Sequence, residues 1–378
     1  MLDERGWEGR RADVGTPRAP HAGSMIAHPS PPAPDLRHGQ APIPGCMMDA
    51  MREIRFDRFG GPEVLVLHTD AEVPVPGPGE VLVEVDHVGL NPLDYKIRDG
   101  SSGRAQDLAL PAGTGREMAG VVRGAGPDLD EAELASRGLA PGTRVFGMRD
   151  LADSRGVAAE MIAISADDLA PIPGETAEED LPRWAGLALA GLTAIATVED
   201  TARIAPGSTV LVHGGSGGVG QLLIPMALEA GASRVWATGR AANAERLREL
   251  GALPIAYDET DWRAEIHRAT EGRGVDVVLD THYHSTFVPS LDVVAEGGIV
   301  VPLPSLADLT PAHERGIEAH VPRIRPGRDR LDRLAQGVRS GRYPLEVSQI
   351  LPLAEIGRAH ELLEHGHTRG KLILDVRA

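Results

Sequence analysis

Five glycines in seven positions, within Thr209-Val-Leu-Val-His-Gly-Gly-Ser-Gly-Gly-Val-Gly-Gln, give this 378-residue chain its clearest chemical signal. Gly215, Gly217 and Gly220 fit G-x-G-x-x-G, with Ser216, Gly218 and Val219 between them. That spacing serves a tight turn, a backbone able to approach a pyrophosphate, and a helix packed closely on its strand. An apolar, β-branched run before the glycines predicts a buried strand, and an apolar run from 221 to 230 predicts a helix that carries Pro225 within it. The phosphates are expected at the N-terminus of that helix, opening near Gly217, where free N–H groups and the helix dipole favour an anion.

A second apolar strand, 234–238, ends in Thr238-Gly239-Arg240. An NAD site usually places an Asp or Glu there to bond the ribose hydroxyl. Here no acid occurs before Glu245, and Arg240 offers a planar cation to a 2′-phosphate, with Arg246 as a second. The expectation is NADPH over NADH. The alternative for Arg240 is a solvated surface residue.

Composition narrows the classes. Lys plus Arg is 38 against 55 Asp plus Glu, a formal charge of −17, which argues against nucleic acid or an anionic membrane as partner. Aromatic residues are 3% of the chain, too few for a base-stacking surface. The one cysteine, Cys46, allows no intrachain disulfide and no thiolate cluster. The apolar stretch 184–198 is too short for a membrane span, and no signal peptide is visible, so a cytoplasmic location is expected.

These site residues need two kinds of scaffold. Residues 1–50 are proline-rich without apolar periodicity and are read as a disordered extension. From 51 to 180, short alternating strands broken by Pro and Gly turns predict a β-rich module. From 181 to 324, strand and helix alternate, which predicts a parallel sheet covered by helices. Residues 325–378 form a basic amphipathic tail in which Leu331, Leu334 and Val338 recur at helical spacing, so its arginines are read as the polar face of a helix.

Taken together, Phe59-Gly-Gly-Pro-Glu-Val-Leu, Asn91-Pro-Leu-Asp-Tyr-Lys-Ile-Arg-Asp-Gly, Gly120-Val-Val, Ala188-Leu-Ala-Gly-Leu-Thr-Ala, the glycine loop and Gly370-Lys-Leu-Ile-Leu resemble the medium-chain dehydrogenase/reductase superfamily, specifically its zinc-independent quinone oxidoreductase branch. The resemblance covers 51–376. It implies an α/β fold: a GroES-like β-barrel catalytic domain, split in sequence, plus a Rossmann dinucleotide-binding domain, with a cleft between them and commonly a homodimer.

Zinc-dependent relatives carry a His in a Gly-His-Glu segment together with Cys or Asp ligands. The matching segment here is Gly115-Arg116-Glu117 and no cysteine follows Cys46, so no metal site is expected. His282 and His284 are two imidazoles without further ligands. The resemblance implies hydride delivery to a quinone or to the β-carbon of an enone, with Lys96 as the cation that stabilises the developing oxyanion. Lys in Asn91-Pro-Leu-Asp-Tyr-Lys shifts the expectation toward conjugated carbonyls. Tyr95 is a candidate proton donor, directed away from Lys96 if the segment is extended. By resemblance Asn91 bonds cofactor or substrate, Thr193 lies by the nicotinamide, Tyr257 sits near the adenosine phosphate, and Lys371 either contacts cofactor phosphate or closes the domain interface. Two alternatives stay open: an enoyl-thioester (polyketide-type) reductase, and a non-catalytic NADPH-binding protein.

Overall fold

The computed structural model describes residues 50–378 apart from 305 and 367. The expected N-terminal extension, with Cys46, lies outside the described residues, apart from exposed Ala50.

The β-rich module holds β1 (Met51–Phe56), β2 (Val66–Ala71), β3 (Glu80–Leu90), β4 (Ala112–Gly113), β5 (Glu117–Ala125), β6 (Arg144–Met148), β7 (Met161–Ser165) and β8 (Leu169–Pro171). Two short helices interrupt it, α1 (Pro92–Arg98) and α2 (Glu131–Ser136). β3 is the central strand, antiparallel to β5 along one edge and to β7 along the first half of the other. Its inward side chains, Val81, Val83, Val85 and Val88, are fully buried.

After α3 (Leu181–Ala185) and α4 (Ala188–Ile195) come β9 (Thr209–His213), α5 (Gly220–Glu229), β10 (Arg234–Gly239), α6 (Ala244–Glu249), β11 (Leu253–Ala256), α7 (Trp262–Ala269), β12 (Val275–Asp280), α8 (Phe287–Ser290), β13 (Val294–Pro302), α9 (Thr310–Glu314) and β14 (Glu318–Ala319). The strands form one parallel sheet in the order β11-β10-β9-β12-β13-β14. The order reverses between β9 and β12, the switch point beyond whose strand ends a doubly wound sheet opens its ligand crevice. Val210, Leu211 and Val212 are buried on both faces, which explains an apolar run without alternation.

The chain then forms α10 (Arg328–Arg339), β15 (Val347–Pro352), α11 (Ile356–His365) and β16 (Lys371–Asp375). β16 runs antiparallel to the second half of β3, so the end of the chain completes the first module's sheet. The tail arginines form the polar face of α10 and its flank: Arg330 pairs with Asp200, Arg333 with Glu199 and Arg342 with Glu229, each at the surface. Leu331 and Leu334 are buried beneath them. No single helix is long and apolar enough to cross a membrane.

Candidate functional site

The turn between β9 and α5 is built by what its glycines lack. A Cβ on Gly220 would lie 2.2 Å from Gly214 O and 2.7 Å from Gly215 Cα, and one on Gly215 would lie 2.8 Å from Ala237 Cβ. Gly214 takes φ +69°, a left-handed conformation that a side chain disfavours. The helix opens at Gly220 rather than near Gly217, because Gly217 N first bonds Gly214 O to close the turn and Gln221 N then bonds Gly217 O. This cradle fits the pyrophosphate of a dinucleotide, with the N–H groups of Val219 and Gly220 at the start of α5 beside it.

At the end of β10, Gly239 is buried and Arg240 is exposed, with no ion-pair partner among the described residues. Ser216 Oγ accepts from Asn243 Nδ2 at 3.1 Å. Asn243 follows Arg240 on a short turn, an association the sequence reading missed. Tyr257 is exposed, and its N–H bonds Gly239 O at 3.1 Å, so its ring stands beside the strand end. Arg246 corrects an expectation. Its guanidinium donates to Pro344 O at 2.6 Å and Gln221 Oε1 at 3.1 Å and pairs with Glu249, so it holds the two modules together and is not free for a phosphate.

The other side of the site is polar but buried. Glu117, wholly inaccessible at the start of β5, accepts from Lys371 Nζ at 2.7 Å and Asn91 Nδ2 at 2.8 Å through Oε1. Its Oε2 accepts from Leu189 N at 2.7 Å. Lys371 Nζ also donates to Asn91 Oδ1 at 2.6 Å. Lys371 is buried, and the contacts its ammonium makes, to Glu117 and Asn91, are those of the interface role. Asn91 is likewise engaged at both ends of its carboxamide.

Asn91 precedes Pro92 at the first position of α1, a strong helix start, and Asp94 Oδ2 accepts from Asn91 N at 2.7 Å. The segment is therefore helical. Lys96 and Tyr95 do not diverge as an extended strand would direct them: Lys96 Nζ lies 5.9 Å from the Tyr95 ring centroid. Lys96 is half-buried, and burial pulls its ammonium below the usual lysine range. Burial raises the Tyr95 phenol, which keeps it protonated. Arg98 anchors the other end of α1: it is buried, pairs with Glu364 of α11, and donates to Gly60 O at 3.0 Å.

Arg116 is 1% exposed and donates to Asp153 O at 2.5 Å, with Nε and Nη2 unpartnered. Asp94 is pushed up to about 6 by desolvation, opposed by its bond from Asn91 and by the Arg116 charge. Among the described residues no group of three or more His, Cys, Asp or Glu could hold a metal ion. Thr193 is half-buried on α4, its hydroxyl donating back to Leu189 O at 2.7 Å. Beyond β12, Asp280 caps the departing loop by accepting from His282 N, Tyr283 N and Thr286 Oγ1, which puts the bulky His282-Tyr283-His284 run at the sheet's ligand end.

Comparison with known proteins agrees with this architecture. Residues 77–174 match the model of the alcohol dehydrogenase GroES-like domain, and residues 250–374 match that of zinc-binding dehydrogenases. The quinone oxidoreductase of Coxiella burnetii superposes with TM-score 0.77 at 32% identity over 86% of this chain and 99% of that one. The Escherichia coli quinone oxidoreductase complexed with NADPH gives 0.73 at 29%, over 86% and 99%. An NAD-dependent alcohol dehydrogenase gives 0.75 at 30%, over 86% and 100%. In sequence, the quinone oxidoreductase of Mus musculus is 28% identical over 86% of this chain and 97% of its own, and a 2-haloacrylate reductase of Burkholderia sp is 27% identical over 83% and 96%. With the cradle, the switch point and the split β-module all in place, the chain belongs to the medium-chain dehydrogenase/reductase superfamily, in its quinone oxidoreductase branch, and is an oxidoreductase that uses a nicotinamide dinucleotide.

Proposed function

We propose that the protein is an NADPH-dependent reductase that delivers a hydride, without a metal, to a quinone or an α,β-unsaturated carbonyl compound. The observation that carries this reading is the charge arrangement at Arg116 and Glu117. The donor set does not suit zinc. Arg116 puts a guanidinium where zinc-dependent relatives put an imidazole, and both oxygens of Glu117 are taken by Lys371, Asn91 and Leu189. A cation buried at that point repels a divalent ion instead of coordinating it.

Stabilising a developing oxyanion then falls to the protein's own donors. Lys96 is the best placed, since it is half-buried and has no ion-pair partner among the described residues. Its ammonium can donate a hydrogen bond to the developing oxyanion, and burial, which lowers its pKa, eases proton transfer to an enolate. Tyr95, protonated beside it, is a second donor. Bound nicotinamide dinucleotide supplies the hydride. The choice of NADPH is supported by exposed Arg240 at the end of β10, after which no acid follows in sequence before Glu245. The similarity to a 2-haloacrylate reductase supports a conjugated acceptor.

The test is oxidation of NADPH and NADH with a panel of quinones, enones, enoyl thioesters and alcohols, with zinc added or chelated. Turnover of quinones or free enones with NADPH, indifferent to chelation, is expected. Alcohol oxidation that requires zinc overturns the reading, a preference for carrier-bound thioesters replaces the acceptor class, and NADPH binding without turnover would leave a non-catalytic binder. Lys96→Met should lower kcat about a hundredfold, as loss of one oxyanion donor does, with NADPH affinity kept.

A further inference from the structure

Three elements that carry parts of the site meet at one side chain. The backbone just before Lys371 is joined to the glycine loop: Gly370 N bonds Ser216 O at 2.8 Å, and Gly217 and Gly370 pair as a parallel bridge. The lysine stem then passes between two glycines. A Cβ on Gly218, in the loop, would lie 2.5 Å from Lys371 Cδ, and one on Gly186, between α3 and α4, would lie 3.0 Å from Cε and 3.1 Å from Cγ. Its ammonium ends on Asn91, which starts the helix carrying Tyr95 and Lys96, and on Glu117, whose other oxygen holds Leu189 on the helix carrying Thr193.

We propose that Lys371 is a positioning residue that fixes the glycine loop and the substrate wall relative to each other, so that cofactor affinity and turnover depend on one buried ammonium that itself touches neither reactant. Stability alone does not demand a charge here, because an apolar set of the same volume holds a buried interface about as well as an ion pair. A charge-assisted network supplies directional geometry instead. Lys371 orients the Asn91 carboxamide by occupying its oxygen, which turns its nitrogen to Glu117. Any displacement of the loop shifts the stem between Gly186 and Gly218 and is passed to α1 and α4. The inference rests on the reading that the loop holds the dinucleotide and that Lys96 faces the acceptor.

The experiment uses the full chain with Lys371→Met, Lys371→Ala, Gly186→Ala and the double variant Gly186→Ala/Lys371→Ala. NADPH dissociation constants come from cofactor fluorescence, kcat is measured at saturating NADPH, and thermal unfolding verifies folding. Lys371→Met should weaken NADPH and lower kcat by about tenfold each, a coupling of ordinary size. Gly186→Ala should move both quantities in the same direction by a smaller factor, although its methyl would have Lys371 and Ile373 as its three nearest contacts. Added to Lys371→Ala its effect should shrink to what the contact with Ile373 leaves. Folded Lys371→Met with affinity and kcat both within twofold of wild type, or a fall in melting temperature alone, overturns the proposal. So does a Gly186→Ala effect that persists undiminished without the lysine. If Lys371→Met does not fold, the Gly186→Ala variant decides. Wild-type protein that binds neither NADPH nor NADH refutes the cofactor reading itself and removes this proposal with it.

Discussion

The glycine turn and the wall around Glu117 solve the same problem, holding atoms in place, by opposite means. The glycine turn does it by omission: side chains are absent, so that Gly220 can sit on Gly214 and Gly215 with backbone against backbone. The wall around Glu117 does it by enclosure: Glu117, Lys371, Asn91, Asp94 and Arg116 are all buried polar groups, the first three bonded to one another. Omission tolerates no added atom, and enclosure tolerates no lost partner. The first kind of wall is damaged by the smallest gain of volume, the second by the smallest loss of charge.

That contrast can be broken experimentally. The largest effect should come from Glu117→Ala, which leaves the ammonium of Lys371 buried without its carboxylate. Removing one partner of such a pair costs about 3–5 kcal/mol, measurable by urea unfolding, and a loss below about 1 kcal/mol would show that the wall does not depend on its charge pairing. Next, Gly220→Ala should cost about 1–3 kcal/mol by overpacking against rigid backbone and should weaken NADPH correspondingly in a fluorescence titration. An unchanged dissociation constant would mean the turn can yield. Arg240→Ala should weaken NADPH about tenfold and leave NADH nearly unaffected, as loss of one charge-assisted contact does. Equal losses for both cofactors would remove Arg240 from 2′-phosphate reading.

The smallest effect is one of pH, and each module contributes a buried histidine to it. Burial holds His213, bonded to Thr238 and Ser290, down at about 4, and holds His360, beside Arg98, down at about 3. Both rings stay neutral in the folded protein while the unfolded chain takes up protons below about 6.5. Their contribution is therefore complete above about 6.5 and is lost as pH falls toward the folded values, with a slope of at most about 1.4 kcal/mol per pH unit for each ring. His360→Gln should flatten the decline in unfolding free energy between pH 6.5 and 5.5 by roughly 1 kcal/mol, and a slope identical to wild type would assign the acid lability elsewhere.

The same contrast explains what could be read from the sequence. The omitted side chains are a local pattern: strand, five glycines and helix lie within about twenty residues, and each piece predicts the next. Arg240 followed from the same register. The enclosed wall is not local. Lys371 and Glu117 are 254 positions apart, and each on its own resembles an ordinary surface charge. Arg246 looked available because nothing in its neighbourhood reveals Pro344, 98 residues on. One signal was legible and passed over: Asn91 followed by Pro92, with Asp94 three residues after the asparagine, is the signature of a helix start, and it would have placed Tyr95 and Lys96 on one helix instead of on opposite sides of a strand.

Because β16 both finishes the first module's sheet and borders the nucleotide turn through Gly370, the order of synthesis matters. A ribosome releases the whole parallel sheet well before it makes Lys371, so a nascent chain stopped after α11 possesses the cradle but not its backing. Competence to bind coenzyme tightly should arrive only once β16 is made, which makes that strand a checkpoint on the first use of the enzyme.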